Sequence, residues 1–212
     1  MAGLANLPEK EHGMTEEMDG NDLAERVKLI ESMMAEGRRG TESWGWTFVL
    51  WGVAYYVAMA WAAWGNSNLA WPVTMSAAGV VTAIVASRKA RKQPRTTIGR
   101  AVGSVWAAVG ISMFVLLLAL GMSGFLETRV FMGILAAMLA TANAASAMIL
   151  KWKVQVGCTL IWWATCWICA DGTPRQATIT LLAAIFLCQI VFGAYSMALE
   201  SRRRRQGEVV HA

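Results

Sequence analysis

The run Val102-Gly-Ser-Val-Trp-Ala-Ala-Val-Gly-Ile-Ser-Met-Phe-Val-Leu-Leu-Leu-Ala-Leu-Gly-Met-Ser-Gly124 contains no Asp, Glu, Lys, Arg or His. It is long enough to cross the roughly 30 Å hydrocarbon core of a bilayer as a helix of about 20 residues. Five further charge-free runs lie on either side of it: Trp46–Trp64, Asn68–Ser87, Val130–Leu150, Val154–Ala170 and Ala177–Leu199. Val154–Ala170 is the shortest. In lipid each backbone polar group must be satisfied within its own segment, so such runs read as helices. The pattern predicts an all-α integral membrane bundle of six transmembrane helices, spanning residues 43–200.

The charges orient it. The chain carries nineteen Lys and Arg. Lys10, Arg26, Lys28, Arg38 and Arg39 precede the first run, and Arg88, Lys89, Arg91, Lys92, Arg95 and Arg100 follow the second. Lys151 and Lys153 follow the fourth, and Arg202 to Arg205 follow the sixth. Only Arg129 and Arg175 fall in the loops after the third and fifth runs, on the opposite side. Basic residues near span ends stay in the cytoplasm, so both termini are expected inside, in a multi-pass protein of a bacterial inner (plasma) membrane. The net charge of +5 is thereby spent on topology and on anionic membrane lipids whose headgroups meet the basic loops, not on nucleic acid. No cleavable signal peptide is visible, because the polar, acidic start lacks an apolar core behind a basic end.

Ahead of the first run, residues 1–21 mix Gly, Pro, Glu and Met without period and read as a disordered cytoplasmic tail. Residues 22–40 read as one amphipathic cytoplasmic helix. Asp22 and Glu25 suit a capping box, and Gly37 and Gly40 suit its end. Leu23, Val27, Ile30 and Met34 recur at helical spacing and form a candidate partner face, for another protein or for self-association. The alternative is a helix lying on headgroups. Residues 201–212 are a basic cytoplasmic tail. Connections between most spans are short, which makes the chain three hairpins. Each opens with a glycine in a similar run, at Gly52, Gly110 and Gly157, which leaves open whether the hairpins repeat.

Little in the spans carries chemistry. The fourth run repeats small residues at Gly133, Ala137, Thr141 and Ala145, with Ala136, Ala140 and Ala144 alongside, as helices do where backbones approach closely. This places the fourth helix at the centre. Asn143 and Gln189 lie deep in apolar sequence and, with Thr141, form a candidate intramembrane polar site. An amide in hydrocarbon needs a partner, so an interhelical hydrogen bond is the plain reading and a solute site the sharper one. Cys166 and Cys169 form a C-x-x-C near the outer end of the fifth run, as in membrane thiol oxidoreductases; cysteine also packs as a small apolar residue. Both histidines, His12 and His211, lie in the tails, and no span holds a carboxylate, so metal, cofactor and catalytic residues are none. Trp44, Trp46 and Trp152 at one level and Trp61, Trp64 and Trp71 at the other suit an aromatic belt, whereas Trp162, Trp163 and Trp167 lie deeper.

The stretch Leu29-Ile-Glu-Ser-Met-Met-Ala-Glu-Gly-Arg-Arg, continuing through Trp46 into Phe48-Val-Leu-Trp-Gly-Val-Ala, resembles the start of small uncharacterised bacterial multi-helix membrane proteins. These open with an N-terminal amphipathic helix running into an LWG-containing first span. The resemblance covers Leu23–Tyr56 and implies that this helix and the first span act as one unit. It implies no activity. The expectation is a non-enzymatic accessory or regulatory protein acting through its cytoplasmic helix. Two alternatives remain open. One is a small transporter or channel for a neutral or apolar solute, and the other a thiol oxidoreductase.

Overall fold

The computed structural model describes residues 10–65, 69–92, 97–123 and 127–210, and among these no strand occurs. The helices are α1 (Lys10–Glu42), α2 (Gly45–Gly65), α3 (Ala70–Lys92), α4 (Thr97–Ser123), α5 (Thr128–Leu150), α6 (Lys153–Asp171), α7 (Pro174–Ile185) and α8 (Phe192–Val210). A π-helical segment, Phe186–Val191, joins α7 to α8.

Among the described residues five spans are long and apolar enough to cross a membrane: α2 and α5, the Ala70–Arg88 part of α3, the Thr97–Leu120 part of α4, and the continuous Pro174–Arg203 stretch. The molecule is thus all-helical and consistent with a multi-pass membrane protein. The expected fifth span, Val154–Ala170, forms α6 but is not among the five. Its Gln155, Thr159, Thr165 and tryptophans lower its hydropathy, and three of these polar side chains turn inward.

The core is the α5–α6 hairpin with α7 and α8 behind it. Lys151 closes the hairpin in the left-handed region (φ 48°, ψ 43°), and the Trp152 N–H bonds back to the Ala147 carbonyl at 3.1 Å. So tight a turn forces α6 antiparallel onto α5. Ala136, Ala140 and Ala147 are buried along the seam, which keeps the two backbones close. Half of α5 is buried, against 6% of α4, so the fourth of the predicted spans is indeed the central one. In the expected row Gly133 meets α6, its would-be Cβ 3.5 Å from Cys169 Cβ, while Ala137 and Ala145 are half-buried and Thr141 is exposed.

The α2 helix crosses α8 where both have shed their side chains. A Cβ on Gly45 would stand 2.8 Å from the Gly193 carbonyl oxygen, and one on Gly193 would stand 2.7 Å from that of Gly45. Two turns further, Gly52 meets the π segment, its would-be Cβ 2.9 Å from Gln189 Cβ. Gly110 and Gly157, its counterparts in the other hairpins, have open space around them. The three positions are therefore not structurally equivalent. Outside this core lie α3, against α2, and α4, against α5 and α1, with Ile111, Phe114 and Val115 exposed on α4.

Edge-on rings fill the middle of one end. Phe48 stands T-shaped on both Trp106 (5.2 Å) and Phe192 (5.1 Å), and Phe192 packs on Trp152 at 5.3 Å. Such pairs add about 0.5–1.5 kcal/mol each beyond burial. Two indole N–H groups tie outer helices to inner ones: Trp106 donates to Ser146 Oγ at 3.0 Å and Trp51 to Thr82 Oγ1 at 3.2 Å.

The α1 helix starts at Lys10, earlier than the Asp22 cap that the sequence suggests. Asp22 is inside the helix and pairs with Arg26 at 2.8 Å. It also runs past Gly37 and Gly40 to Glu42. Gly37 marks a contact: a Cβ there would stand 2.5 Å from Ile98 Cγ2 and 3.0 Å from Leu150 Cδ2. Of the tails expected at residues 1–21 and 201–212, residues 10–21 belong to α1 and residues 201–210 to α8, whereas residues 1–9 and 211–212 lie outside the described residues.

Candidate functional site

Three groups of residues emerge. The first is a polar layer inside the bundle. Asn143 on α5 is 1% exposed, and its Nδ2 donates to the Leu139 carbonyl at 2.8 Å, one turn back in its own helix. Its Oδ1 has no partner among the described residues. Gln155 and Trp162, on α6, are fully buried, and both atoms of the Gln155 amide and the Trp162 Nε1 likewise lack partners there. Gln155, Thr159 and Trp162 follow helical spacing on one buried face of α6. A buried polar atom left unpaired costs about 1–3 kcal/mol, so this layer is the least satisfied part of the core.

The structure does not assemble the predicted trio of Asn143, Gln189 and Thr141. Thr141 is exposed and bonds its Oγ1 to Ala137 O at 2.9 Å. Gln189 is buried against Gly52, in the π segment. There the Phe192 N–H reaches the Leu187 carbonyl, five residues back, and Tyr56 Oη donates to Leu182 O at 2.8 Å. The inserted residue turns Cys188 and Gln189 inward; π segments of this kind occur often at functional sites. Of the deep tryptophans only Trp162 faces the core, while Trp163 and Trp167 are exposed.

The second group is the cysteines, all free thiols. Cys169 is buried and Cys166 half-buried on adjacent turns of α6. The contact across helices is a different one: Cys188 Sγ–H donates to Cys158 O at 3.7 Å. Among the described residues no cluster of His, Cys, Asp and Glu is arranged to hold a metal ion.

The third group lies where α1 meets the bundle. Arg38 Nε donates to the Leu150 carbonyl at 2.7 Å, closing the C-terminal end of α5. Glu42, 3% exposed, pairs with Arg203 of α8 at 3.1 Å. Burial pushes the Glu42 carboxyl above its usual range, although Arg203, Arg39 and Arg38 pull it down; Glu200 adds to the rise. Met34 and Thr41 are buried beside it, so the last turns of α1 are docked. The earlier turns are not. Leu23 is 64% exposed, Ile30 55% and Val27 48%. The predicted face is therefore divided along its length: Met34 is buried, and Leu23, Val27 and Ile30 on the earlier turns are exposed.

Sequence reasoning missed Gln155 and Glu42. Gln155 is the second residue of its run, beside Lys153, where an amide reads as interfacial. Glu42 stands in polar sequence, and nothing in its neighbourhood announces a guanidinium from α8. Comparison with family models, with curated proteins and with solved structures finds no match.

Proposed function

We propose that this is a non-enzymatic accessory or regulatory protein of a bacterial inner membrane. In this reading α6 spans the bilayer as the sixth membrane helix, and α1 is cytoplasmic with both termini. The observation that carries the reading is the divided face of α1: one end fixed by Met34, Gly37 and the Glu42–Arg203 pair, the other presenting Leu23, Val27 and Ile30. Clamping one end of a helix lowers the ordering cost of binding at the other.

The occupant of the free end is a protein helix rather than the lipid surface. Helices that lie on anionic membranes have basic polar faces. Around Leu23, Val27 and Ile30 the polar face holds Asp22, Glu25, Glu31 and Glu36 against Arg26 and Lys28. Apolar anchors spaced over two turns, rimmed by both signs of charge, match the helix-in-groove mode of recognition. The test places a photo-crosslinking residue at Val27 in the native membrane. A discrete protein adduct that disappears in L23S/I30S supports the reading, and adducts to lipid alone refute it.

The buried polar layer favours a second reading, a small transporter or channel for a neutral solute. Asn143 Oδ1, the Gln155 amide and Trp162 Nε1 offer both donors and acceptors to such a molecule. Solute-dependent stabilisation of wild type, lost in N143L and Q155L, distinguishes it.

A further inference from the structure

An open cleft of about 560 Å³ lies between the docked end of α1 and the final turns of α8, lined by Ala35, Arg38, Arg39, Arg203 and Gln206. We propose that this cleft binds a phosphate group, carried by an anionic lipid headgroup or by a soluble phosphate ester. Three guanidiniums line one concavity, and among the described residues that line it none is acidic. Glu42 offsets one of these three charges, through Arg203, and the remaining positive charge of the cleft attracts an anion. Guanidinium is also the side chain whose planar fork matches phosphate oxygens in pairs. The volume falls within the roughly 300–1,000 Å³ typical of small-molecule sites, so it admits an organic headgroup as well as a bare ion.

Two of the three arginines are held in place. Arg38 is anchored through Nε on the Leu150 carbonyl, and Arg203 through Nη2 on Glu42. Glu42 turns inward, so it orients Arg203 without walling the cleft. Arg39 is exposed on the same helix end and forms no ion pair with the carboxylates of the described residues. Gln206 adds an amide donor, and Ala35 leaves room above the α1 backbone. Close by in the chain, the indoles of Trp44 and Trp46 stack at 6.2 Å, each half-buried, as rings at headgroup depth do. The site stands independently of the partner face at Leu23, Val27 and Ile30.

The experiment uses the full chain in micelles of a neutral detergent, titrated calorimetrically with three probes: dihexanoyl phosphatidylglycerol, dihexanoyl phosphatidylcholine and inorganic phosphate. The expected result is binding of phosphatidylglycerol but not of phosphatidylcholine, weakened about tenfold or more in R39Q, as loss of a charge-assisted hydrogen bond predicts. R88Q removes an equal charge elsewhere and is expected to bind as wild type does. Inorganic phosphate that binds as tightly as phosphatidylglycerol, and loses as much in R39Q, supports the site and identifies its ligand as soluble. Equal weakening by R39Q and R88Q overturns the proposal, since the effect is then general charge. Absence of binding by both anions overturns it as well.

Discussion

The sharpest prediction concerns Gly45. An alanine Cβ there would meet three rigid atoms of α8: the Gly193 oxygen at 2.8 Å, Ser196 Cβ at 2.9 Å and Met197 N at 3.0 Å. Ordinary contact begins near 3.4 Å, so the helices must part by about half an ångström at their crossing. None of the three atoms swings away by a rotamer change. Overpacking of this kind costs about 1–3 kcal/mol. Gly157 on α6 has nothing within 4 Å of its would-be Cβ, and G157A is expected to gain up to about 1 kcal/mol of helix propensity. The two substitutions, chemically identical, are expected to differ by about 2–4 kcal/mol. Unfolding in mixed micelles titrated with a denaturing detergent, followed by circular dichroism, measures this. G193A is expected to cost as much as G45A, and the double variant less than their sum, because the first alanine already parts the helices. If G45A proves as stable as G157A, the close crossing of α2 and α8 is wrong.

Three other outcomes are expected. Q155M exchanges two unpaired buried polar atoms for an apolar chain of similar length, and is expected to stabilise the bundle by about 1–3 kcal/mol in the same titration; a loss of that size means the amide has a partner. Glu42 is held above its usual range in the folded protein, so folding favours its protonated form, and the docking of α1 is expected to loosen as pH rises through that raised value. Limited proteolysis of α1 across pH 4 to 8, flat in E42Q and sloping in wild type, checks this (the range brackets the usual carboxylate value upward). Cys166 and Cys169 are expected to stay reduced and to react slowly with an impermeant maleimide in isolated membranes; a pair labelled only after dithiothreitol revives the thiol oxidoreductase reading.

The spans were legible because a charge-free run of membrane length has few other uses, and the centrality of α5 because alanine at helical spacing lets backbones touch. What escaped was the facing of helices. Asn143 and Thr141 are two residues apart, which in a helix points them to opposite sides, so one is buried and the other exposed. The π segment has no sequence signal at all: Phe186–Val191 is one more apolar run, and its extra residue answers to Tyr56 and Gly52 on another helix. Gln155 and Glu42 escaped for the same reason, since each is defined by what packs on it from a distant segment. On α1, helical spacing alone does not separate Met34, which is buried, from Leu23, which is not.

The crossing of α2 on α8 also has a consequence in time. Gly45 and Gly193 are 148 positions apart in the chain. At a synthesis rate of about 5–20 residues per second, the α2 groove leaves the ribosome roughly 7–30 s before its mate exists. Through that interval Gly45 and Gly52 present bare backbone to whatever is beside them. Until α8 is made, the α2 groove has no mate within the chain. Any stop codon before α8 leaves it permanently unmatched and open to degradation.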